Sequence, residues 1–345
     1  VNQAAGCSWE ALAGDPLPWL LDEQRPNLLW RALVELVGRP AESVAVGRAR
    51  GGANAAEPVA SLLAELDPDG SWSSERPTWS RYAGPGWRLV AAVGWGADPG
   101  DPRLHAAGER LLASAPGEGG FAPRAGVPPS PLLTARLVQA VIDLGFGRHL
   151  RVQEALAWMG EEPAAWSGDR RRQAVAGVAL SAALAGRPEL GRQPLRDRAA
   201  AAVVDALADC GGPALDRPGH PNLERTDLVE MLWSLARAGV PFERRLAEPM
   251  ARLQRLQVAG GRWRRRVPRP PSLPISIDSR SRVGAECRWV TLHAVVAINV
   301  YAVAARLPRR YPSPPAAEGG DGQRSENGAA ESDKNLDILP RDVEP

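Results

Sequence analysis

Hydrophobic residues recur along this chain at helical spacing, and two kinds of helix take turns. Residues 224–263 show both kinds. Leu228, Met231, Leu232 and Leu235 fall at i, i+3, i+4 and i+7, which is one apolar stripe of a helix. Thr226 or Asp227 is placed to cap its start, and Gly239 with Pro241 ends it. A second helix follows, with Leu246, Met250, Leu253 and Leu256 on one side and Arg244, Arg245, Glu248 and Arg252 on the other. It runs into Gln257-Val-Ala-Gly-Gly261-Arg-Trp263.

The unit repeats. Polar-faced helices are predicted to begin near Glu57, Asp101, His149, Leu195 and Phe242, at intervals of about 44, 48, 46 and 47 residues. Between them lie segments apolar nearly all round, at 87–93, 132–144, 174–184, 228–235 and 289–305. A helix apolar on every side is buried on every side. The alternation therefore predicts two layers, exposed outside and enclosed inside. With 28–37 counted there are six inner helices, enough to close a ring. Asp101-Pro102 and Ser130-Pro131 put a capping residue before a proline at the first helical position. Asp67-Pro-Asp-Gly70 and Gly117-Glu-Gly-Gly120 supply turns before an aromatic residue. Residues 41–56, with Gly51-Gly52 in the middle, read as a loop. Residues 1–14 have no periodicity, and 308–345, rich in proline, glycine, serine and acids, are predicted to be a disordered tail. That leaves 15–307 as the folded domain.

Composition narrows the picture without naming a reaction. At 345 residues, 44% hydrophobic and 24% charged, the chain can bury a sizeable core. A net charge of +2 gives no case for nucleic acid. Cys7, Cys210 and Cys287 are odd in number and far apart, which points to a reducing compartment and no zinc knuckle. No secretory signal opens the sequence, and no apolar run reaches the ~18 residues that span a bilayer. A cytoplasmic location is the expectation.

Gln257 through Gly261 and Trp263, a helix ending in glutamine followed by a Gly-x-Trp turn, resembles the QW repeat of squalene-hopene cyclases and protein prenyltransferase β-subunits. Asp69-Gly70-Ser71-Trp72 is a copy without the glutamine, and Gly119-Gly120-Phe121 a weaker one. The pattern around Arg81-Tyr82, Trp87-Arg88-Leu89, Arg225-Thr-Asp-Leu228 and Arg288-Trp-Val-Thr-Leu292 is similar to an uncharacterised bacterial branch of that superfamily. The resemblance implies an all-α (α/α)6 toroid whose inner helices start around a central cavity, occupied in characterised members by an isoprenoid. The family's motifs for chemistry are missing. No Asp-x-Asp-Asp acid and no Asp-rich magnesium motif occur. Cys287 and His293 lie about 240° apart around a helix, so they do not share a face for zinc. No metal and no cofactor is implied.

Asp227, at the start of an inner helix, is a candidate general acid or ligand anchor, set against the plainer reading of an N-cap. His220, in a Gly-His-Pro loop just before it, is the second catalytic candidate, against an exposed loop histidine. Tyr82, Trp87, Trp289, Thr134 and Cys287 are the candidate ligand-binding residues. The aromatics would suit an apolar ligand or a carbocation if they face inward, and inter-repeat packing if they do not. The arginine clusters at 170–172 and 262–266 would clamp a phosphate or form a solvated surface. Three functions remain open: an isoprenoid-like ligand in the cavity, a non-catalytic scaffold, or a glycoside-processing enzyme. The last needs two carboxylates about 5–10 Å apart at the cavity, and only Asp227 is so placed.

Overall fold

The computed structural model describes residues 12–304, apart from 74–75, 162–165, 167–168, 210–211, 271, 274 and 276–281. Cys7, Cys210, the expected tail at 308–345 and most of the expected irregular N-terminus lie outside the described residues. The first helices are α1 (Leu17–Leu20), α2 (Pro26–Glu35), α3 (Val44–Ala53), α4 (Val59–Leu63), α5 (Pro85–Gly94), α6 (Pro102–Ser114) and α7 (Pro131–Asp143). There follow α8 (Leu150–Glu161), α9 (Arg170–Leu184), α10 (Gln193–Asp209), α11 (Leu228–Arg237), α12 (Ala247–Arg255) and α13 (Arg288–Ala304). Strands β1 (Gln257–Val258) and β2 (Arg262–Trp263) form one short antiparallel hairpin. The protein is all-α, as the periodicity predicts.

The six apolar helices close on one another. In order, α5 packs on α7, α7 on α9, α9 on α11, α11 on α13, and α13 on α2. The step from α2 back to α5 is made by hydrogen bonds: Asn27 Nδ2 donates to Trp95 O at 3.0 Å and Trp30 Nε1 to Gly96 O at 2.8 Å. Outside this ring, α3 lies on α2, α4 and α6 on α5, α8 on α7, α10 on α9, and α12 on α11. Burial follows the layers. Every residue from Leu228 to Ala236 of α11 is buried, and every residue from Ala174 to Leu184 of α9. On the outer α6 only Leu104, Ala107, Gly108, Leu111 and Leu112 are buried, one stripe of thirteen residues. Each fully buried leucine contributes about 1.5–3 kcal/mol, and both layers supply them, Leu228 and Leu232 from α11 and Leu104 from α6.

The starts are set by the residues that the sequence marks. Asp101 accepts Arg103 N at the start of α6, Ser130 accepts Leu133 N at α7, and Asp227, rather than Thr226, caps α11. The aromatic turns are built alike. Trp263 is fully buried and its indole donates to Leu253 O, ten residues back, at 2.9 Å. Trp72 does the same to Leu62 O, again ten back, at 3.1 Å. In the best copy Gly260 and Gly261 take φ of 77° and 69°, so the chain can reverse tightly and set Gln257 opposite Trp263. The glutamine side chain accepts Ala13 N at 3.0 Å and ties the N-terminal segment to the turn.

One expectation is overturned. Residues 41–56 are not a loop but hold α3. Its two central glycines, Gly51 and Gly52, weaken the helical signal. Packing overrides that weakness: Val46, Ala49 and Ala53 form a separate small core with Trp30. Among the described residues no helix is long and apolar enough to cross a membrane.

Candidate functional site

Three cavities follow one another along α13, marked by Trp289, then His293, then Val296 and Val300. The first, about 370 Å³, lies at the N-terminal ends of α2 and α13. The third, about 360 Å³, lies where α2, α7 and α11 end. The middle one, at the centre of the ring, is only about 60 Å³, room for a few waters at most.

Charge fills that centre. Arg136 of α7, 3% exposed, donates to Glu230 of α11 at 2.9 and 3.3 Å, a two-toothed buried ion pair. Its remaining donors reach Leu223 O at 3.1 Å and Arg225 O at 3.0 Å, which pins the loop before α11. Glu35 of α2 accepts Arg237 at 2.9 Å and the Trp233 indole at 2.9 Å, with Arg31 at 3.4 Å. Asp143 of α7 accepts Arg187 at 2.8 Å and lies 3.5 Å from Arg31. Burial works to raise the Glu35 carboxyl, but Arg237 and Arg31 outweigh it and hold it below the usual range. The same contest at Asp143, with Arg187, Arg31 and Arg237 against burial, ends the same way. The expectation of an apolar central cavity is therefore corrected: the ring's centre is an ion-pair network. Sequence reasoning missed it, although the signal was there. A single Arg136 or Glu230 within an otherwise apolar helix must find a partner inside.

Two histidines stand beside this network. His293 stacks on Trp233, ring centroids 4.2 Å apart, and burial lowers its pKa to about 4. His220 stacks face to face on Trp289 at 4.7 Å. Its Nε2 donates to Gly94 O at 2.9 Å, which leaves Nδ1 as the acceptor. Burial, with His293 and Arg265 near, pushes His220 well below the ordinary imidazole value. Both rings are neutral at pH 7. His220 is thus buried in the ring, not exposed in a loop.

Asp227 has no exposure, and its four hydrogen bonds are all internal. Oδ1 accepts Val229 N and Glu230 N at 3.0 and 3.1 Å; Oδ2 accepts Gly219 N and Asn222 Nδ2 at 2.9 and 2.8 Å. Burial pushes its carboxyl up. The two catalytic candidates share a loop but make no bond to each other. Thr134 is fully buried, and its Oγ1 accepts Phe121 N at 2.8 Å. Tyr82 and Trp87 meet at 5.9 Å, and Trp79 stands edge-on to Trp87 at 5.4 Å. Tyr82 Oη donates to Glu224 at 2.8 Å, and the residue holds φ 59°, strained for a tyrosine.

Cys287 and Trp289 do come together, on the wall of the 370 Å³ cavity. Trp19, Leu28 and Trp95 join them there, with Arg25, Arg265, Arg269 and Arg288 around. Arg288 donates to Trp19 O at 3.1 Å and to Asp22 at 2.8 Å. The Arg269 guanidinium stands 5.4 Å from the Trp95 ring centre. Arg265, 2% exposed, donates to His220 O, while its Nε has no partner. Trp19 and Trp95 were not singled out from the sequence, because neither lies at an inner helix start.

No protein-family profile matches the chain. No curated protein matches it either. Among solved structures it is similar to that of the type II terpene cyclase MstE from Scytonema in the apo form, with 18% identity and a TM-score of 0.42. The match covers 82% of this chain and 88% of the other. A likeness of that degree bears on no residue and no activity.

Proposed function

We propose that this chain is a terpene-cyclase-like ring protein that binds an apolar, isoprenoid-like ligand, and that the ligand sits at the N-terminal ends of α2 and α13. The observation that carries the reading is the cavity of about 370 Å³ walled by Trp19, Leu28, Trp95 and Trp289. Its size is that of small-molecule sites, and its indoles supply large apolar surface. The ring's centre, at about 60 Å³, is too small for such a ligand. Asp227 lines none of these cavities and spends its oxygens on the backbone and Asn222, so the reading is of binding rather than turnover.

Native mass spectrometry with farnesol and with farnesyl diphosphate tests it. One bound molecule is expected on the wild type and on Trp87→Ala, whose ring packs on Trp79 and Tyr82 away from the cavity. Trp289→Ala should lose it. Absence of any bound species, or equal behaviour of the two variants, defeats the reading. It would favour the scaffold instead, a reading supported by the ion network that fills the ring.

A further inference from the structure

The third cavity, about 360 Å³ where α2, α7 and α11 end, has more cations than anions in its wall. Arg31, Arg50, Arg187 and Arg237 line it with Glu35 and Asp143, and the lining holds no other ionisable group. Five of these six form a row that alternates in sign. Arg237 meets Glu35 at 2.9 Å, Glu35 meets Arg31 at 3.4 Å, Arg31 meets Asp143 at 3.5 Å, and Asp143 meets Arg187 at 2.8 Å. A row that begins and ends on a cation is one positive charge over. Its arginines have only 15 to 26% of their side chains exposed, so water screens that charge in part.

Arg50 of α3 adds a second charge. Its guanidinium carbon stands 5.0 Å from the centre of the Trp30 ring, and that of Arg31 stands 4.5 Å from it. Two guanidinium groups thus share one indole. Among the described residues nothing accepts a hydrogen bond from Arg50: Nε is sealed, whereas the two terminal amines are unpartnered and not sealed. The carbonyl ends of the helices offset part of the excess. Of the four arginines, though, only Arg187 bonds such a carbonyl, Ala183 O of α9. Gathered like charges are unfavourable without a counter-ion, and guanidinium groups take the oxygens of phosphate or carboxylate two at a time.

We propose that this cavity binds a doubly charged organic oxyanion, a phosphate monoester or a dicarboxylate. Arg50 and Arg31 hold its oxygens beside Trp30, and its carbon body rests on Val34, Val296 and Val300. The cavity shares no lining residue with the one at α2 and α13, so the site is independent of the isoprenoid reading.

Calorimetric titration of the intact chain at pH 8 and low salt tests the proposal with three probes that share one ring. Phenyl phosphate and phthalate are dianions; benzenesulfonate is a monoanion. Saturable binding of phenyl phosphate or phthalate is expected, about tenfold or more tighter than that of benzenesulfonate, and the tighter dianion tells the head group. Arg50→Gln keeps the stem on Trp30 and loses the charge, and should weaken binding about tenfold. Arg50→Lys, which keeps the charge but not the fork, should fall between the two. Arg50 bonds no other group, so the urea midpoint of either variant should stay at the wild-type value. Arg110→Gln, from an exposed pair with Asp69, should leave binding unchanged. No saturable binding of either dianion overturns the proposal, as does benzenesulfonate binding equally well. Dianion binding unchanged in Arg50→Gln overturns it too, since the anion then sits elsewhere.

Discussion

Thr134 Oγ1 accepts the backbone N–H of Phe121 at 2.8 Å, and Thr291 Oγ1 accepts that of Trp263 at 3.0 Å. Each threonine sits on the first turn of an inner helix, and each aromatic closes a glycine turn of the outer layer. The bond is a repeated joint between layers. Thr134→Val keeps the volume and leaves a buried N–H without a partner, which costs about 1–3 kcal/mol. Thr134→Ser should recover most of the loss. Urea unfolding of the three proteins checks this. A ligand-contacting role for Thr134 would instead show as a binding defect at unchanged stability.

Glu35 is the pivot of the central network. Replacing it with glutamine leaves Arg31 and Arg237 in the ring with no carboxylate at Glu35 to balance them. Removing one partner of a buried pair costs about 3–5 kcal/mol. Arg245→Ala provides the contrast. Its pair with Asp205 is more than half exposed on both sides, and such pairs contribute about 0–1 kcal/mol. Denaturant midpoints of the two variants should differ accordingly. Equal effects would mean that the centre is wetter than the packing shows.

The repeat, the two layers and the six inner helices are legible in the sequence, because burial on all sides leaves a continuous apolar run that no surface helix shares. Helix starts are legible too, from Asp101, Ser130 and Asp227. What the centre contains is not. Arg31 and Glu35 lie on α2, Asp143 on α7 and Arg187 on the turn after α9, so the pairing of Asp143 with Arg31 and Arg187 exists only once the ring closes. A buried arginine and a solvated one look alike in a sequence unless the helix around them is apolar, as it is for Arg136. The indole of Trp95 follows the same rule, since it reaches the cavity from just past the end of α5.

Acid should weaken the fold through His293. Its folded pKa of about 4 lies below the ordinary 6.5, so the unfolded chain binds the proton first. Stability is then full above pH 6.5, falls as pH drops, and levels off near 4, with a loss of about 3 kcal/mol from this group. His220, depressed in the same direction, adds to the slope in the same window. Glu35 and Asp143 have lowered values and lose their contribution only at lower pH, below the carboxylate range. His293→Phe keeps the ring against Trp233 and removes the proton. Unfolding free energies measured from pH 7.5 to 4.5 should therefore decline less steeply in the variant. Parallel curves would show that His293 is not the group that titrates.

Gly70 separates two reasons for a glycine. It holds φ 80° in the turn before Trp72, and a Cβ there would stand 2.2 Å from Ala107 N and 2.3 Å from the Ala106 carbonyl carbon. Gly186, just past α9, holds φ 66° with nothing within 4 Å of a Cβ. Alanine at 186 meets only the left-handed backbone penalty, about 1–2 kcal/mol. At position 70 it meets that penalty and also the backbone of α6, which is not a flexible side-chain end and can give way only if α6 moves off the turn. Gly70→Ala should therefore lose several kcal/mol more than Gly186→Ala, of the order of the 1–3 kcal/mol or more found for overpacking. Urea melts of the two variants, read by tryptophan fluorescence, measure the difference. If they coincide, the contact between the turn and α6 is looser than the geometry has it, and the turn is held by its conformation alone.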